Sequence, residues 1–395
     1  MKGKNIIVTG LQPWDIEIGS NCKNIAIEFS KQNKVLYVNS PLDRNTINTK
    51  KDDPRIAKRI RIKNGEESCF EKISDSLTVF YPRIVLESLN ILPFYWLFSL
   101  FNKKNNKLFA SEIQFAANEL KMNNFVHFND SDMFRSFYLK ELLNPDLSIY
   151  YIRDNLIKNP YWRKHGQYTE PLLIKKSDLT VTNSLYYADY AKLYNHHSYM
   201  VGQGCDVSMY DDSIHNFLIA EELKNITHPI IGYVGFLSSR RLDIDLIRML
   251  ATKKPEWTIV LVGPEDDTFK QSDLHSKSNI IFTGSKSVEE LPNFIKGFDI
   301  CINPQILNDA TIGNYPRKID EYLAMGKPTI ATWTKAMEYF ADVTYLAKES
   351  NDYITLISKA LEENSEKLQE ARKQVAKTHT WENNVNEIYK CIELI

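Results

Sequence analysis

The chain has 395 residues, of which 43% are hydrophobic and 25% charged, and its formal net charge is −1 at pH 7. This length predicts two domains with cores large enough to need no disulfide framework. The balanced charge argues against a dedicated nucleic-acid-binding protein, which would carry a basic excess.

The cysteines and the apolar runs indicate the compartment. There are five cysteines, far apart and without a CxxC pair, which argues against disulfides or a zinc site and favours a reducing, cytoplasmic compartment. The N-terminal apolar run is too short for a signal peptide and predicts a first strand. Apolar runs of about 20 residues are absent from the sequence, so no segment is predicted to span a bilayer.

In the first half, short apolar runs alternate with amphipathic segments. Strands are predicted at Asn5–Thr9, Lys34–Val38, Thr78–Phe80, Asn124–Phe128, Ser148–Ile152, Asp178–Asn183 and Tyr199–Val201. Helices are predicted at Cys22–Gln32, Lys107–Leu120, around Pro171–Lys176 and at Ser184–Tyr194. This alternation predicts a parallel sheet with helices on both faces.

The segment Ile84–Phe101 has two interpretations. Its aromatic residues precede Lys103 and Lys104, a combination that suits a bilayer interface. Glu87 and Pro93 argue against a spanning helix. The alternative is a core segment between two helices, and the sequence leaves both open.

A second strand and helix series follows a polar stretch that predicts an interdomain linker at 208–228. Strands are predicted at Pro229–Val234, Trp257–Val262, Asn279–Phe282, Asp299–Asn303 and Pro328–Ala331. Helices are predicted at Ile244–Lys253, Val288–Lys296 and Arg317–Ala324. The predicted domains are residues 1–207 and 229–378, followed by a terminal segment 379–395. In two such doubly wound sheets, ligands bind beyond the carboxyl ends of the strands.

Strand-end loops of the second series are rich in glycine and cations. Gly235 and Gly263 each follow a strand, which lets a ligand approach the backbone. Arg240 and Arg241 can grip a diphosphate in a bidentate manner, and Lys286 follows a third strand. This edge of the sheet predicts a nucleotide-diphosphate site.

The segment 314–328 is the strongest motif. Pro316 suits the first turn of a helix, whose N-terminus favours phosphate. Arg317 and Lys318 add positive charge there, and Glu321, one turn further, can accept hydrogen bonds from a ribose diol. The alternative is a capped surface helix with a solvated charge cluster.

With these motifs, the second half resembles the nucleotide-sugar domain of GT-B glycosyltransferases of the bacterial capsule, teichuronic-acid and exopolysaccharide type. Glu321, followed by LAMGKP at 323–328, matches the family's ribose-binding Glu and L-A-x-G-x-P. Arg240 or Arg241 falls where the family has a phosphate-binding cation, and Lys286 where a loop contacts the base.

Two positions depart from the family pattern. Many retaining members have a second Glu where this chain has Gly313, and an arginine where it has Phe236. The backbone amides of Gly313 and Asn314 can still contact the sugar or the phosphates. The stereochemical outcome therefore stays open.

The first half also resembles xanthan-type glucuronosyltransferases, in which an Asp of this region is the base. The resemblance implies that Asp154 is the general base if the enzyme inverts; the alternative is an Arg153 salt bridge or a helix cap. Predicted acceptor-binding residues at strand ends are Trp14, Asp15, Asn129, Asp130 and Arg153.

The resemblance implies an α/β fold of GT-B type, with two Rossmann-like doubly wound domains facing a cleft and a C-terminal helix that crosses back to the first domain. The implied function is transfer of a sugar from a UDP-sugar to a glycan or polyprenyl-linked acceptor in surface polysaccharide biosynthesis, at the cytoplasmic face of the inner membrane. Neither cofactor nor metal is expected.

Alternatives are an inactive scaffold and a GT-B enzyme of another reaction, such as a nucleotide-sugar epimerase. The DxD triplet at Asp130–Asp132 suggests a metal, but such triplets arise easily among 50 acidic residues. A dehydrogenase is disfavoured because no GxGxxG follows an early strand.

Overall fold

The computed structural model describes residues 1–16, 19–50 and 52–395. It divides into unit 1, Met1–Gly202 with Asn384–Ile395, and unit 2, Gln203–Asn383. The predicted linker at 208–228 belongs to unit 2, where Tyr210 and Leu223 are buried in the core.

Unit 1 is built on an eight-stranded sheet of order β10-β9-β8-β7-β1-β2-β5-β4. All neighbouring pairs are parallel except β4 with β5. A separate pair, β3 with β6, is also parallel. The strands of unit 1 are β1 (Asn5–Gly10), β2 (Lys34–Val38), β3 (Leu42–Asp43), β4 (Phe70–Lys72), β5 (Leu77–Phe80), β6 (Val85–Leu86), β7 (Phe125–Asp130), β8 (Leu147–Ile152), β9 (Leu179–Thr182) and β10 (Ser198–Met200).

The helices of unit 1 cover its sheet with apolar faces. They are α1 (Asn21–Ser30), α2 (Arg44–Thr49), α3 (Pro54–Lys63), α4 (Tyr95–Glu119), α5 (Leu139–Leu143), α6 (Pro160–Lys176) and α7 (Leu185–Lys192). Helix α4 begins at Tyr95, twelve residues before the predicted start at Lys107. The prediction missed this first part because buried asparagines at 102, 105 and 106 interrupt the apolar spacing on the inner face of the helix.

Unit 2 has a six-stranded parallel sheet of order β13-β12-β11-β14-β15-β16. Its strands are β11 (Ile230–Val234), β12 (Thr258–Val262), β13 (Ile280–Gly284), β14 (Ile300–Asn303), β15 (Thr329–Thr332) and β16 (Tyr345–Ala347). Its helices are α8 (Ile244–Lys253), α9 (Asp267–Lys270), α10 (Leu291–Gly297), α11 (Lys318–Ala324), α12 (Asp352–Glu363) and α13 (Glu366–Thr378). The near-continuous burial of β11, β12 and β14 is typical of parallel strands covered on both faces.

The last helix, α14 (Trp381–Ile392), returns to unit 1. The Asn384 amide donates to the carbonyl oxygens of Val201 and Gly202, at 3.0 and 2.8 Å. Tyr389 stacks on Phe29 with ring centroids 5.8 Å apart. The C-terminal helix therefore completes the core of unit 1, as the sequence predicted.

Among the described residues, helices long and apolar enough to cross a membrane are absent.

Candidate functional site

Three neighbouring strands of unit 2 end in glycine at one edge of its sheet. Strands β11, β12 and β13 are followed or ended by Gly235, Gly263 and Gly284, all with positive φ. A Cβ on Gly263 would lie 2.1 Å from the carbonyl oxygen of Gly235, so the two backbones touch. Bare backbone at the carboxyl ends of parallel strands is where α/β sheets admit a ligand.

Lys318 lies directly beside this bare backbone. A Cβ on Gly235 would be 3.5 Å from the Lys318 ammonium. That ammonium donates to the Tyr233 hydroxyl at 2.9 Å and lies 4.6 Å from the centre of its ring. Tyr233 therefore fixes a cation beside Gly235. The sequence did not indicate this role, because Tyr233 looks like an ordinary strand residue.

Glu321 is held one turn further along the same helix. Burial raises the pKa of its carboxyl, and the positive charges of Arg317 and Lys318 oppose that shift. The Tyr210 hydroxyl also hydrogen-bonds to it. Helix α11 has only seven residues, so the side-chain cations rather than the helix dipole supply most of the positive charge here.

Arg240 and Arg241 are exposed in the loop after β11. Their backbones are anchored, since the Asn308 amide donates to Arg240 O at 3.1 Å and Ile306 N to Arg241 O at 2.8 Å. Within the described part of the chain, their guanidinium groups have no ion pair. They are therefore available to an anionic ligand.

Lys286 is less available than predicted. Its ammonium pairs with Glu222 at 2.6 Å and lies over the Phe294 ring. Glu222 comes from the segment predicted as a linker, 64 residues away, so no local pattern indicated this pair. The predicted contact of Lys286 with the nucleotide stays a prediction.

The loop before α11 places Gly313 and Asn314. Thr311 stabilises this loop, because its hydroxyl donates to the carbonyl oxygen of Ile306 and accepts from the backbone N–H of Asn308. Gly313 is buried. In the loop after β11, by contrast, Phe236 exposes 55% of its surface.

In unit 1, Asp154 follows β8. Its side chain is 47% exposed and accepts from Arg153 at 3.0 Å, so the ion pair considered as its alternative role is present. Asp154 also lines a cavity of about 210 Å³ with Tyr187 and Glu170. Burial, with a smaller contribution from Asp154, raises the pKa of Tyr187. The carboxylate thus reaches both an internal partner and an open cavity.

Asn129 and Asp130 are buried and hydrogen-bonded within unit 1, and their predicted contact with the acceptor stays a prediction. The Asn129 carbonyl oxygen accepts from Asp132 N at 3.1 Å. Asp130 is fully buried and accepts from Arg153 at 2.9 Å. These hydrogen bonds fix the carboxyl end of β7, and Arg153 pairs with the carboxylates of both Asp130 and Asp154.

Trp14 and Asp15 also have internal partners, and their predicted contact with the acceptor stays a prediction. Trp14 is buried against Tyr37, with ring centroids 5.1 Å apart, and its backbone N–H donates to Asn39 at 2.8 Å. Asp15 accepts from Arg59 at 2.7 Å. Their partners lie 25 and 44 residues away, beyond the reach of a local pattern.

A cavity of about 800 Å³ in unit 1 was not predicted. Six chain segments contribute to it: those that follow β1, β3, β6 and β7, the first three turns of α4 and the first turn of α6. Its lining includes amides and hydroxyls (Asn45, Thr46, Ser88, Asn90, Asn102, Asn105) and aromatic rings (Phe98, Phe134, Tyr161, Trp162).

The polar walls of this cavity are rigidly held. The Asn105 side chain bonds to both backbone groups of Glu87. It donates to the carbonyl oxygen at 2.9 Å and accepts from the N–H at 3.2 Å. Asp43 accepts from Ser88 and Thr46, and these hydrogen bonds lower the pKa of its carboxyl against the effect of burial. Hydrogen-bonding groups fixed in this way are pre-organised for a polar ligand.

The two carboxylates of the DxD triplet are both neutralised by arginines. Asp130 pairs with Arg153, and Asp132 pairs with Arg135 at 2.7 Å. In the described residues, no group of three His, Cys, Asp or Glu side chains is placed to hold a metal. The absence of a metal requirement stays a prediction.

Comparisons with known proteins agree with this geometry. Residues 228–390 match the family described as glycosyl transferases group 1. Over 170 residues the chain is 30% identical to a protein of Bacillus subtilis (strain 168) named as a teichuronic acid biosynthesis glycosyltransferase. That match covers 41% of this chain and 42% of the relative, so the chain spans about two fifths of the curated relative's length.

Solved structures match the whole chain. HepE from Anabaena, in complex with UDP, has a TM-score of 0.66 and 14% identity, covering 99% of this chain and 100% of HepE. Sucrose-phosphate synthase from Thermosynechococcus elongatus has a TM-score of 0.64 and 12% identity, covering 100% of this chain and 99% of that one. These structures confirm the predicted GT-B fold, while residues 228–390 match the glycosyl transferases group 1 family and part of the chain is similar to one teichuronic acid biosynthesis glycosyltransferase.

Proposed function

We propose that this protein transfers a sugar from a nucleotide-diphosphate-sugar, UDP-sugar by preference, to a glycan or polyprenyl-linked acceptor in surface polysaccharide biosynthesis. The observation that carries the proposal is the sheet edge of unit 2 at Gly235, Gly263 and Gly284, which we call the glycine edge. Lys318 is fixed beside its bare backbone, and Glu321 lies one turn away. The matches to a named teichuronic-acid glycosyltransferase and to a UDP-bound protein support it.

The chemistry needs a stabilised leaving group. Departure of the sugar leaves negative charge on the diphosphate, and cations already in position stabilise that charge without reorganising. Lys318, Arg240 and Arg241 fill this role in the proposal. Glu321 accepts hydrogen bonds from the ribose diol, and the reaction uses no metal and no cofactor.

Asp154 is the proposed general base in an inverting reaction. An acceptor hydroxyl becomes nucleophilic when a carboxylate within hydrogen-bonding reach takes its proton. Asp154 is the half-exposed carboxylate at the end of β8, whereas Asp130 is buried and paired.

The 800 Å³ cavity of unit 1 is the proposed site for the part of the acceptor away from the reacting hydroxyl, since the proposed base Asp154 lines a separate cavity. Its fixed amides and hydroxyls match the hydroxyl groups of a sugar, and its aromatic rings can stack on the apolar face of a pyranose. A polyprenyl-linked acceptor would place the enzyme at the cytoplasmic face of the inner membrane.

The test is turnover of UDP-sugars by the purified protein, with and without a lipid extract as acceptor source. We expect UDP release from one UDP-sugar that increases with the extract and continues in the presence of a chelator. UDP binding without release from any UDP-sugar would favour the inactive scaffold. Conversion of one UDP-sugar to its epimer would favour the epimerase.

A further inference from the structure

The start of helix α4 exposes large apolar side chains to solvent. Ile91 is 82% exposed, Trp96 66% and Leu100 62%. We define the apolar patch as Ile91, Phe94, Trp96, Leu100 and Phe101, all exposed. Isolated apolar residues on a surface are ordinary, but a group this dense marks a contact surface.

Positive charge borders this patch. We define the basic band as Lys103, Lys104, Lys107, Arg163 and Lys164, all exposed. Residues 95–108 and 160–169 contain no acidic residue, although the whole chain carries 50. The charge on this face therefore departs strongly from the near-neutral average of the protein.

The two helices that carry these residues pack against each other. Tyr95 of α4 contacts Tyr168 of α6 with ring centroids 5.0 Å apart, and His165 stacks on Phe98 at 4.2 Å. Lys164 donates to the carbonyl oxygen of Ile91 at 3.0 Å. The apolar patch and the basic band are therefore one surface of unit 1.

Helical spacing places apolar and basic residues in sequence along α4. Trp96 and Leu100 are four residues apart, and Lys103, Lys104 and Lys107 continue the same exposed stripe. An aromatic and apolar end followed by lysines suits the boundary between acyl chains and anionic headgroups.

The surface also adjoins the large cavity of unit 1. Ile91 of the patch lines that cavity, as do Asn90, Phe98 and Tyr161 next to it. A molecule anchored in a bilayer under the patch would thus have its headgroup at the cavity.

We propose that the apolar patch and the basic band dock unit 1 on the surface of a bilayer that contains anionic lipids. We take a lipid as the partner because the stretches of α4 and α6 that carry these apolar residues and cations, 95–108 and 160–169, contain no acidic residue. Docking by this surface names the membrane contact of the proposed function and rests on that proposal for its purpose, although lipid binding itself can be measured without turnover.

The experiment is sedimentation of the full chain with vesicles of phosphatidylcholine alone or with about a third phosphatidylglycerol. The variants are Trp96→Ser with Leu100→Ser, and Lys103→Gln with Lys104→Gln and Lys107→Gln. The matched control is Lys192→Gln with Leu193→Ser, on an exposed part of α7 where Leu193 is 75% exposed.

We expect the wild type and the control to bind anionic vesicles at least about 100-fold more tightly than neutral ones. Binding should fall roughly fivefold for each lysine removed, and more salt should weaken it. The Trp96 and Leu100 variant should bind weakly to either vesicle. Circular dichroism and UDP binding should stay unchanged in every variant.

Wild-type binding to neither vesicle, or equal binding by the variants and the wild type, would overturn the proposal. A concentration-dependent dimer that the Trp96 and Leu100 variant abolishes, without vesicle binding, would assign the surface to a second copy of the chain instead. Retained UDP binding in these cases would leave the proposed function standing.

Discussion

Asp154 combines an internal ion pair with access to a cavity. Arg153 holds its carboxylate at 3.0 Å, and half of the side chain remains exposed. Such a geometry can orient a base without removing it from substrate. If Asp154 does not contact the acceptor, its role is limited to the salt bridge with Arg153.

We expect Asp154→Asn to reduce sugar transfer by a factor of about 100 or more, since a positioned base contributes on that order. UDP affinity should not change, because the variant leaves unit 2 intact. A transfer assay alongside calorimetric titration with UDP measures both. Asp189→Asn, at an exposed position of α7, is the control; full activity of the Asp154 variant would remove the base assignment.

Glu170 is a second carboxylate near this site, buried between two tyrosines. It accepts from the Tyr150 hydroxyl at 3.0 Å and from the Tyr190 hydroxyl at 3.4 Å. Burial raises its pKa from 4.5 to about 7, although both hydrogen bonds oppose the shift. The folded protein therefore binds a proton that the unfolded chain has released.

This shift predicts that the stability of unit 1 falls as pH rises from about 4.5 to about 7, because the folded state holds more protons than the unfolded state in that window. Glu170→Gln removes the titration. Relative to wild type, its free energy of unfolding should gain on the order of 3 kcal/mol between pH 4 and pH 8. Urea unfolding at both pH values checks this; an equal difference at the two would contradict the raised pKa.

At the level of elements, the glycine ends of β11, β12 and β13 could be predicted, because Gly235 and Gly263 directly follow an apolar run and Gly284 follows one after a single threonine. Their contact could not, since it depends on strand order. Gly263 and Gly235 touch because β12 and β11 are neighbours in the sheet.

Gly263→Ala should therefore be severe. Its Cβ would meet the Gly235 carbonyl oxygen at 2.1 Å, and its φ is +144°. Gly65→Ala isolates the backbone cost, because φ is +81° there and a Cβ would meet nothing within 4 Å. We expect Gly65→Ala to cost about 1 kcal/mol and Gly263→Ala at least about 2 kcal/mol more, with loss of UDP binding. Equal costs in urea unfolding would show that the close approach is absent.

The internal partners of the predicted acceptor residues could not be predicted, for the same reason that the cavity was missed. Trp14 and Asp15 follow a strand, as a ligand-binding loop should, yet their partners Asn39 and Arg59 come from distant segments. The cavity is assembled from six segments, and its buried asparagines on α4 break the apolar pattern that predicts a helix. Local patterns locate strand ends but not which side chains remain free there.

At the scale of the whole molecule, the chain returns to unit 1 through α14. The Tyr389 hydroxyl accepts from Asn33 at 2.9 Å, and its ring stacks on Phe29. A resemblance to the family predicted this helix and its return, whereas composition and periodicity indicated neither.

Tyr389→Ala should lower the stability of unit 1 by about 3 kcal/mol, as for other buried aromatic truncations. Scanning calorimetry with and without UDP separates the units, because UDP raises only the transition of the unit that binds it. The variant should lower the other transition. Lys390→Ala, on the exposed side of α14, is the control; a lowered UDP-sensitive transition would contradict the assignment of this helix.

We propose that unit 2 binds a nucleoside diphosphate through Glu321 and the glycine edge. The most direct measurement is the shift in melting temperature with UDP, GDP, ADP and CMP, with and without a chelator, for wild type, Glu321→Ala and the exposed control Glu362→Ala. We predict a shift with UDP that survives the chelator, persists in Glu362→Ala and disappears in Glu321→Ala. No shift with any nucleotide, or an undiminished UDP shift in Glu321→Ala, would contradict it.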